Sequence, residues 1–342
     1  MGDWTKARLA AAMAGERAVI PTADFYVLTP LGASPGRAPL IRRAGPFSFT
    51  AGDDAVILVR HMTRADRRAV ERAAPGRFFY VVDDLLRGPA LRGSGLPADY
   101  AARLEAAAGR LDWILRRDPV IVAPNRTVAD QFGPRRTLVV PPSLLMACEA
   151  FDHFDSLSGR PRIACLGTRS HVGDLEAIAP ALEALSRRHP RLEIATFLGR
   201  HLPDRLKALG TVRNRRPLPW PLFKRVLKAE RFHVALAPLR DTPFNGARSP
   251  TKLLDHAAVG AAGIYSARAP YADIVSPGVD GLLAGDDPRE WLTALEGLIA
   301  DPAGARRLAE NGVALARRIG DPRRARALWE EALGSPLRHA RG

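Results

Sequence analysis

The sequence predicts an α/β protein built from two Rossmann-like units that face each other across a cleft. Two observations carry this: short apolar runs alternate with amphipathic helical stretches, and the series starts afresh after a polar linker at Asp152 to Pro161. Strands joined by crossover helices make parallel sheets covered on both faces. A chain of 342 residues is about two domains' worth. The expected division is residues 1–155 for the first unit, 156–318 for the second and 319–342 for a helical tail.

In the first unit Phe25 to Leu28, Ala55 to Val59, Phe78 to Val82, Val120 to Ala123 and Leu138 to Val140 read as buried strands, each a short apolar run ended by polar or turn residues. Arg64 to Ala74 and Ala98 to Arg116 have helical spacing, and the Gly-, Pro- and Arg-rich stretch Gly88 to Pro97 reads as a mobile loop on the cleft side. In the second unit strands are expected at Ile163 to Leu166, Ile194 to Leu198, Val234 to Ala237 and Gly263 to Tyr265. Helices are expected at Asp174 to Arg188, Trp220 to Lys228, Lys252 to Ala258 and Pro288 to Ile299. The stripe Leu175, Ile178, Leu182, Leu185 is core. The tail from Asp301 to Leu333 is helical, with a break at Pro322. Ligands of such sheets bind beyond the carboxyl ends of the strands, which places the site between the two units.

One junction carries the chemistry. From Phe244 the chain reads Asn-Gly-Ala-Arg-Ser-Pro-Thr-Lys and then enters a helix. The first amides of a helix lack internal partners and lie at the positive end of its dipole, so this is an anion site to which Arg248 and Lys252 add two charges. Asp255 stands one turn in, where a carboxylate could accept hydrogen bonds from vicinal hydroxyls. A nucleotide or nucleotide sugar fits that combination. Across the cleft, Arg60-His61 and Asp83-Asp84 each end a strand, which makes His61, Asp83 and Asp84 candidates for holding an acceptor. A lone Asp-Asp lacks the further oxygen ligands that a hard cation takes. His171 follows the first strand of the second unit within reach of a phosphate or an acceptor, but reads first as a structural polar histidine.

The net charge of +15 comes from 51 basic and 36 acidic residues. If functional, it points to phosphorylated substrates, an anionic membrane surface or nucleic acid. Nucleic acid is not expected, because the basic residues show no aromatic interleaving and only 6% of residues are aromatic. Cys148 and Cys165 have no metal-type spacing, so no metal site or disulfide framework is expected, and a reducing cytoplasm fits. The weakly apolar stretch Ala257 to Ala267 is shorter than the roughly 18 residues of a spanning helix.

Arg162-Ile-Ala-Cys-Leu-Gly-Thr-Arg-Ser-His, continued through Leu185 and followed by Leu192-Glu-Ile-Ala-Thr-Phe-Leu-Gly, resembles the start of the donor domain in retaining glycosyltransferases of the glycosyltransferase B fold (group 1, family 4-like). Ser276-Pro-Gly-Val-Asp-Gly-Leu-Leu resembles the turn near the end of that domain. The family's Glu-x7-Glu pattern places its second acid at Asp255 and its first at Ala247. The resemblance implies a glycosyltransferase that needs no cofactor or metal, uses a nucleotide-diphosphate sugar as donor, and transfers to a glycan or lipid-linked acceptor. It implies that Asp255 meets the donor ribose, that the amides near Ser249 and Thr251 take the diphosphate, and that Gly167 and Thr168 line it from the other strand. Arg169, Arg248 and Lys252 would stand in for the family's cation pair, with Arg248 and Lys252 stabilising the leaving group. Gly167 is equally a turn glycine. Two alternatives stay open: an inactive nucleotide-sugar binder, which Ala247 motivates, and a sugar-nucleotide epimerase, against which the missing first acid argues.

Overall fold

The computed structural model describes residues 20–334, apart from 34, 35, 37, 75, 87–95, 97, 99, 100, 103, 105–108 and 158. The expected loop Gly88 to Pro97 lies almost wholly outside the described residues, as does much of the helix expected over Ala98 to Arg116.

Among the described residues, twelve strands form two six-stranded sheets. The first contains β1 (Ile41–Arg43), β2 (Ser48–Ala51), β3 (Ala55–Val59), β4 (Phe78–Val81), β5 (Val120–Ala123) and β6 (Thr137–Val139), side by side in chain order. The second contains β7 (Arg162–Cys165), β8 (Glu193–Thr196), β9 (Val212–Asn214), β10 (Val234–Ala237), β11 (Ala262–Ser266) and β12 (Leu282–Ala284), in the order β12-β11-β10-β7-β8-β9. The longer helices are α1 (Arg64–Glu71), α2 (Leu111–Leu115), α3 (Arg126–Asp130), α4 (Val172–Ala177), α5 (Ala179–Arg188), α6 (Trp220–Ala229), α7 (Thr251–Val259), α8 (Pro288–Ala300), α9 (Pro302–Ile319) and α10 (Pro322–Gly334).

The second sheet is parallel throughout. Its order reverses between β7 and β10, and a crevice forms at such a reversal because the crossovers leave it in opposite directions. The site is placed there. The helix expected over Asp174 to Arg188 divides at Ile178, two residues before Pro180, whose ring cannot continue the α4 ladder.

The first sheet departs from expectation. β1, β2 and β3 pair antiparallel and only β3 to β6 are parallel, so the sheet is mixed. Phe25 to Leu28 is not a strand: Asp24–Leu28 forms a π-helical turn between the short helices Pro21–Ala23 and Thr29–Leu31. A run apolar on every side is buried equally well as helix or strand, and Pro21 with its fixed φ starts the helical course.

Chain-order pairing sends the parallel crossovers the same way across the sheet. Phe79 and Tyr80 of β4 point to opposite faces. Tyr80 meets Phe132, just after α3, with ring centroids 6.1 Å apart, and Phe79 meets Trp329 of α10 at 5.6 Å. The far face is therefore covered by the end of the chain. Trp329 is fully buried, and its Nε1 donates to the carbonyl of Tyr26 at 2.8 Å. The break expected at Pro322 is present, and it lets α10 return to the first sheet.

Candidate functional site

A cleft of about 820 Å³ opens between the carboxyl ends of the two sheets. On the side of the second sheet, β7 leads through Gly167 into a 3-10 turn, Arg169–His171, and then α4. Gly167 is required by packing: a Cβ there would lie 2.8 Å from Cβ of His171 and 3.2 Å from its Cγ. His171 Nδ1 is 3.2 Å from Oδ2 of buried Asp174. The other Asp174 oxygen accepts from the Arg240 amide at 3.0 Å and from Asn245 Nδ2 at 2.8 Å. Asn245 in turn accepts at Oδ1 from Arg248 Nε at 3.0 Å. One buried amide thus joins the carboxylate behind His171 to the Arg248 guanidinium in the loop that opens α7. Thr242 caps the turn that holds Asn245, accepting its amide at 3.1 Å.

Arg248 lies over the Phe244 ring, 4.9 Å from its centroid, and its Nη2 is buried with no hydrogen-bond partner among the described residues. A buried guanidinium nitrogen without a protein acceptor can donate to an anion. Pro250 stands at the N-cap of α7 with no side-chain cap; the amides of Thr251 and Lys252 make no hydrogen bond among the described residues, while that of Leu253 donates to the Pro250 carbonyl at 3.0 Å. Gly260 closes the helix in the left-handed region, φ 70°. Lys252 Nζ pairs with Asp255 Oδ2 at 2.8 Å, one turn on. Burial pushes the Asp255 carboxyl up and Lys252 opposes it. Burial first, and then Arg248, hold His171 down to about 4, against the pull of Asp174.

On the side of the first sheet, Arg60 ends β3 in the left-handed region, φ 53°. Its amide donates to Val81 O at 3.0 Å and its carbonyl accepts from Tyr80 Oη at 3.2 Å, which over-determines a conformation that an arginine seldom adopts. Arg60 Nη1 reaches Asp83 Oδ1 at 2.8 Å and Asp84 Oδ2 at 3.0 Å, and Thr22 Oγ1 donates to Asp83 Oδ2 at 2.7 Å. Burial raises the Asp83 carboxyl, Arg60 lowers it and Asp84 raises it further, with the balance upward.

The structure brings Gly167, Thr168, Arg169, Arg248, Ser249, Thr251, Lys252 and Asp255 to one wall of the cleft and Asp83 and Asp84 to the other. His61 is not among the lining residues. Its ring packs edge-on against Phe47 at 5.2 Å, because the left-handed turn at Arg60 sends the two neighbours different ways. Sequence reasoning missed Thr22, Arg60 as the clamp on both aspartates, and an aromatic wall of Phe25, Phe197, Trp220 and Phe223. The run Arg215-Arg216-Pro217-Leu218-Pro219 ahead of α6 was an available signal for that wall. Ala247 is buried, and its carbonyl accepts from Asn125 Nδ2 at 3.0 Å. Among the described residues, no group of three or more His, Cys, Asp or Glu could hold a metal ion, and no helix is long and apolar enough to cross a membrane.

No protein-family model matches the sequence, and no curated protein matches it. Solved structures do match in fold. HepE of Anabaena, crystallised with UDP and glucose, is 13% identical and superposes with a TM-score of 0.56 over 81% of this chain and 77% of that one. The chain has the glycosyltransferase B fold. Sucrose-phosphate synthase from Thermosynechococcus elongatus is similar to it at 16% identity, with a TM-score of 0.53 over 78% of this chain and 69% of that one. TarM is similar at 8% identity and a TM-score of 0.54, and the chain spans about half of it, 51%, while 78% of this chain is covered. The glycosyltransferase B fold sets two sheets mouth to mouth, and the two walls above are those mouths.

Proposed function

We propose that the chain is a glycosyltransferase that moves a sugar from a nucleotide-diphosphate sugar to a glycan or lipid-linked acceptor. The observation that carries this reading is the donor wall: open amides at the start of α7, the buried unpartnered Nη2 of Arg248, and Lys252, all at the switch point of the second sheet. These groups meet the negative charge that grows on a departing diphosphate, and fixed donors in a closed cleft stabilise it without reorganisation. Asp255 meets the ribose. HepE was crystallised with UDP-glucose, which supports a uridine donor.

The reading includes retention of the donor's anomeric configuration and independence of metal, since arginine and lysine supply the countercharge. It also includes a peripheral hold on an anionic membrane face through the basic surface, worth about 1 kcal/mol per basic residue near it. The test is a thermal-shift and activity screen with UDP, GDP, ADP and their sugars, because a ligand bound only by the native state raises its melting temperature. Stabilisation by one nucleoside diphosphate, with transfer that survives chelator and a retained anomer by NMR, is expected. No stabilisation by any of them overturns the reading. Ala247, buried where the family places its first acid, favours a second reading as a nucleotide-sugar binder without transfer. Donor hydrolysis in the absence of acceptor separates the two.

A further inference from the structure

We propose that His171, backed by Asp174, takes up a proton when a nucleoside diphosphate enters the cleft and closes on its phosphates as an imidazolium. The proposal rests on the donor-binding reading above and names a residue and a proton that reading does not use.

The geometry begins at Asp174. Burial alone would raise its carboxyl, but the hydrogen bond from His171, the Arg240 amide and Arg248 outweigh burial and hold it below the ordinary carboxylate value. An ionised Asp174 accepts, so Nδ1 of His171 carries the hydrogen and Nε2 of the neutral ring carries the lone pair. Nε2 makes no hydrogen bond among the described residues, and the ring lines the cleft beside Gly167 and Lys252.

The charged groups around the ring come from every element packed there. Arg248 and Lys252 face it from the donor loop and α7, Arg169 from its own turn, and Asp174 from α4. Arg240, in the loop after β10, lies against Gly173 and 3.6 Å from Asp174. Burial and the two nearby cations favour the neutral imidazole. A diphosphate changes both conditions. At neutral pH it offers only acceptor oxygens, so a neutral Nε2 would set a lone pair against an anion. Its charge also cancels Arg248 and Lys252, while Asp174 stays behind the ring. An imidazolium then becomes the favoured form, with Nδ1–H on Asp174 and Nε2–H on a phosphate oxygen. Asp174 is the positioning residue of the pair.

Isothermal titration of UDP at pH 7, in two buffers of different ionisation enthalpy, counts the protons bound with the ligand. The wild type should take up more protons per UDP than His171→Gln, the difference approaching about one where the bound imidazole lies well above the working pH. Asp174→Asn should shrink the same difference, and uridine without phosphates should show none. The variants are first compared with wild type by circular dichroism and thermal melting. Equal proton counts for wild type and a folded His171→Gln, both binding UDP, would overturn the proposal and leave the donor-binding reading standing. Absence of binding by UDP, GDP and ADP alike would overturn both.

Discussion

Tyr26 Oη donates to Ser249 Oγ at 3.0 Å, so the π-helical turn ahead of the first sheet holds the loop that opens α7 on the second. π-helical turns recur at functional sites. Two further bonds of the same turn run to α6: Asp24 Oδ2 accepts from Trp220 Nε1 at 2.8 Å and pairs with Lys224 Nζ at 2.7 Å. The cleft walls are thus joined by a few buried polar contacts.

Tyr26→Phe and Ser249→Ala should each lower stability by about 0.5–1.5 kcal/mol, the net worth of one hydrogen bond. The two losses should not add, since both remove the same contact. Urea denaturation of both single variants and the double variant measures the coupling. Additive losses would show that the bond contributes nothing.

Lys252 and Asp255 make a second test. Lys252→Ala leaves a buried carboxylate without its cation, and breaking such a pair costs about 3–5 kcal/mol. Asp255→Asn removes the charge that needs a partner and should cost less. Adding Asp255→Asn to Lys252→Ala should recover much of the loss, and a double variant less stable than Lys252→Ala alone would refute this account. Asp255→Ala should in addition weaken UDP binding by on the order of 1.5–3 kcal/mol, the worth of a hydrogen bond to a charged group.

Much of this site was legible before the fold. The second sheet's core strands and α7 follow from apolar runs bounded by turn residues, and the proposed anion site follows from small and basic residues at a helix start. The edge strands β1, β9 and β12 were not legible, because β1 and β9 are mostly polar and β12 is only three residues long, so their pairing is set by neighbours. Phe25 to Leu28 misled because burial on all sides erases the difference between periods of 2 and 3.6. The Arg60 clamp on Asp83 and Asp84 depends on a left-handed arginine held by Tyr80, which no local pattern announces. The tie between His171 and Asp174 was not legible either, because Asp174 is fixed from a loop more than sixty residues away.

Acid should destabilise the protein through its buried imidazoles. His233 accepts the Arg162 amide at Nδ1, 2.9 Å, and faces the His153 carbonyl from Nε2 at 2.7 Å, so it is neutral in the folded chain. Burial holds it and His171 down to about 4, and drives His256 to about 3 with help from Lys252. An unfolded histidine protonates near 6.5. Between that value and about 4 the unfolded chain binds more protons than the folded one, so stability is complete above roughly pH 6.5 and falls as the pH is lowered. Melting temperature measured from pH 8 to 4 should show the decline, and His233→Asn should make it shallower at the cost of stability at pH 8. A flat profile below pH 6.5 would contradict the neutral burial of these rings.

The last test concerns the end of the chain. Trp329 fills the far face of the first sheet against Phe79 and also holds the carbonyl of Tyr26, whose hydroxyl reaches Ser249. Trp329→Ala should cost about 3–5 kcal/mol, as other buried tryptophan truncations do. Trp329→Phe keeps a ring but strips the Tyr26 carbonyl of its donor, an unsatisfied buried group worth about 1–3 kcal/mol. Because that carbonyl belongs to the turn that props the donor loop, Trp329→Phe should weaken UDP binding as well as lower the melting temperature, although no atom of Trp329 lines the cleft. Unchanged UDP affinity in a destabilised Trp329→Phe would confine α10 to covering the sheet. A parallel loss of affinity would make α10 part of what positions the nucleotide.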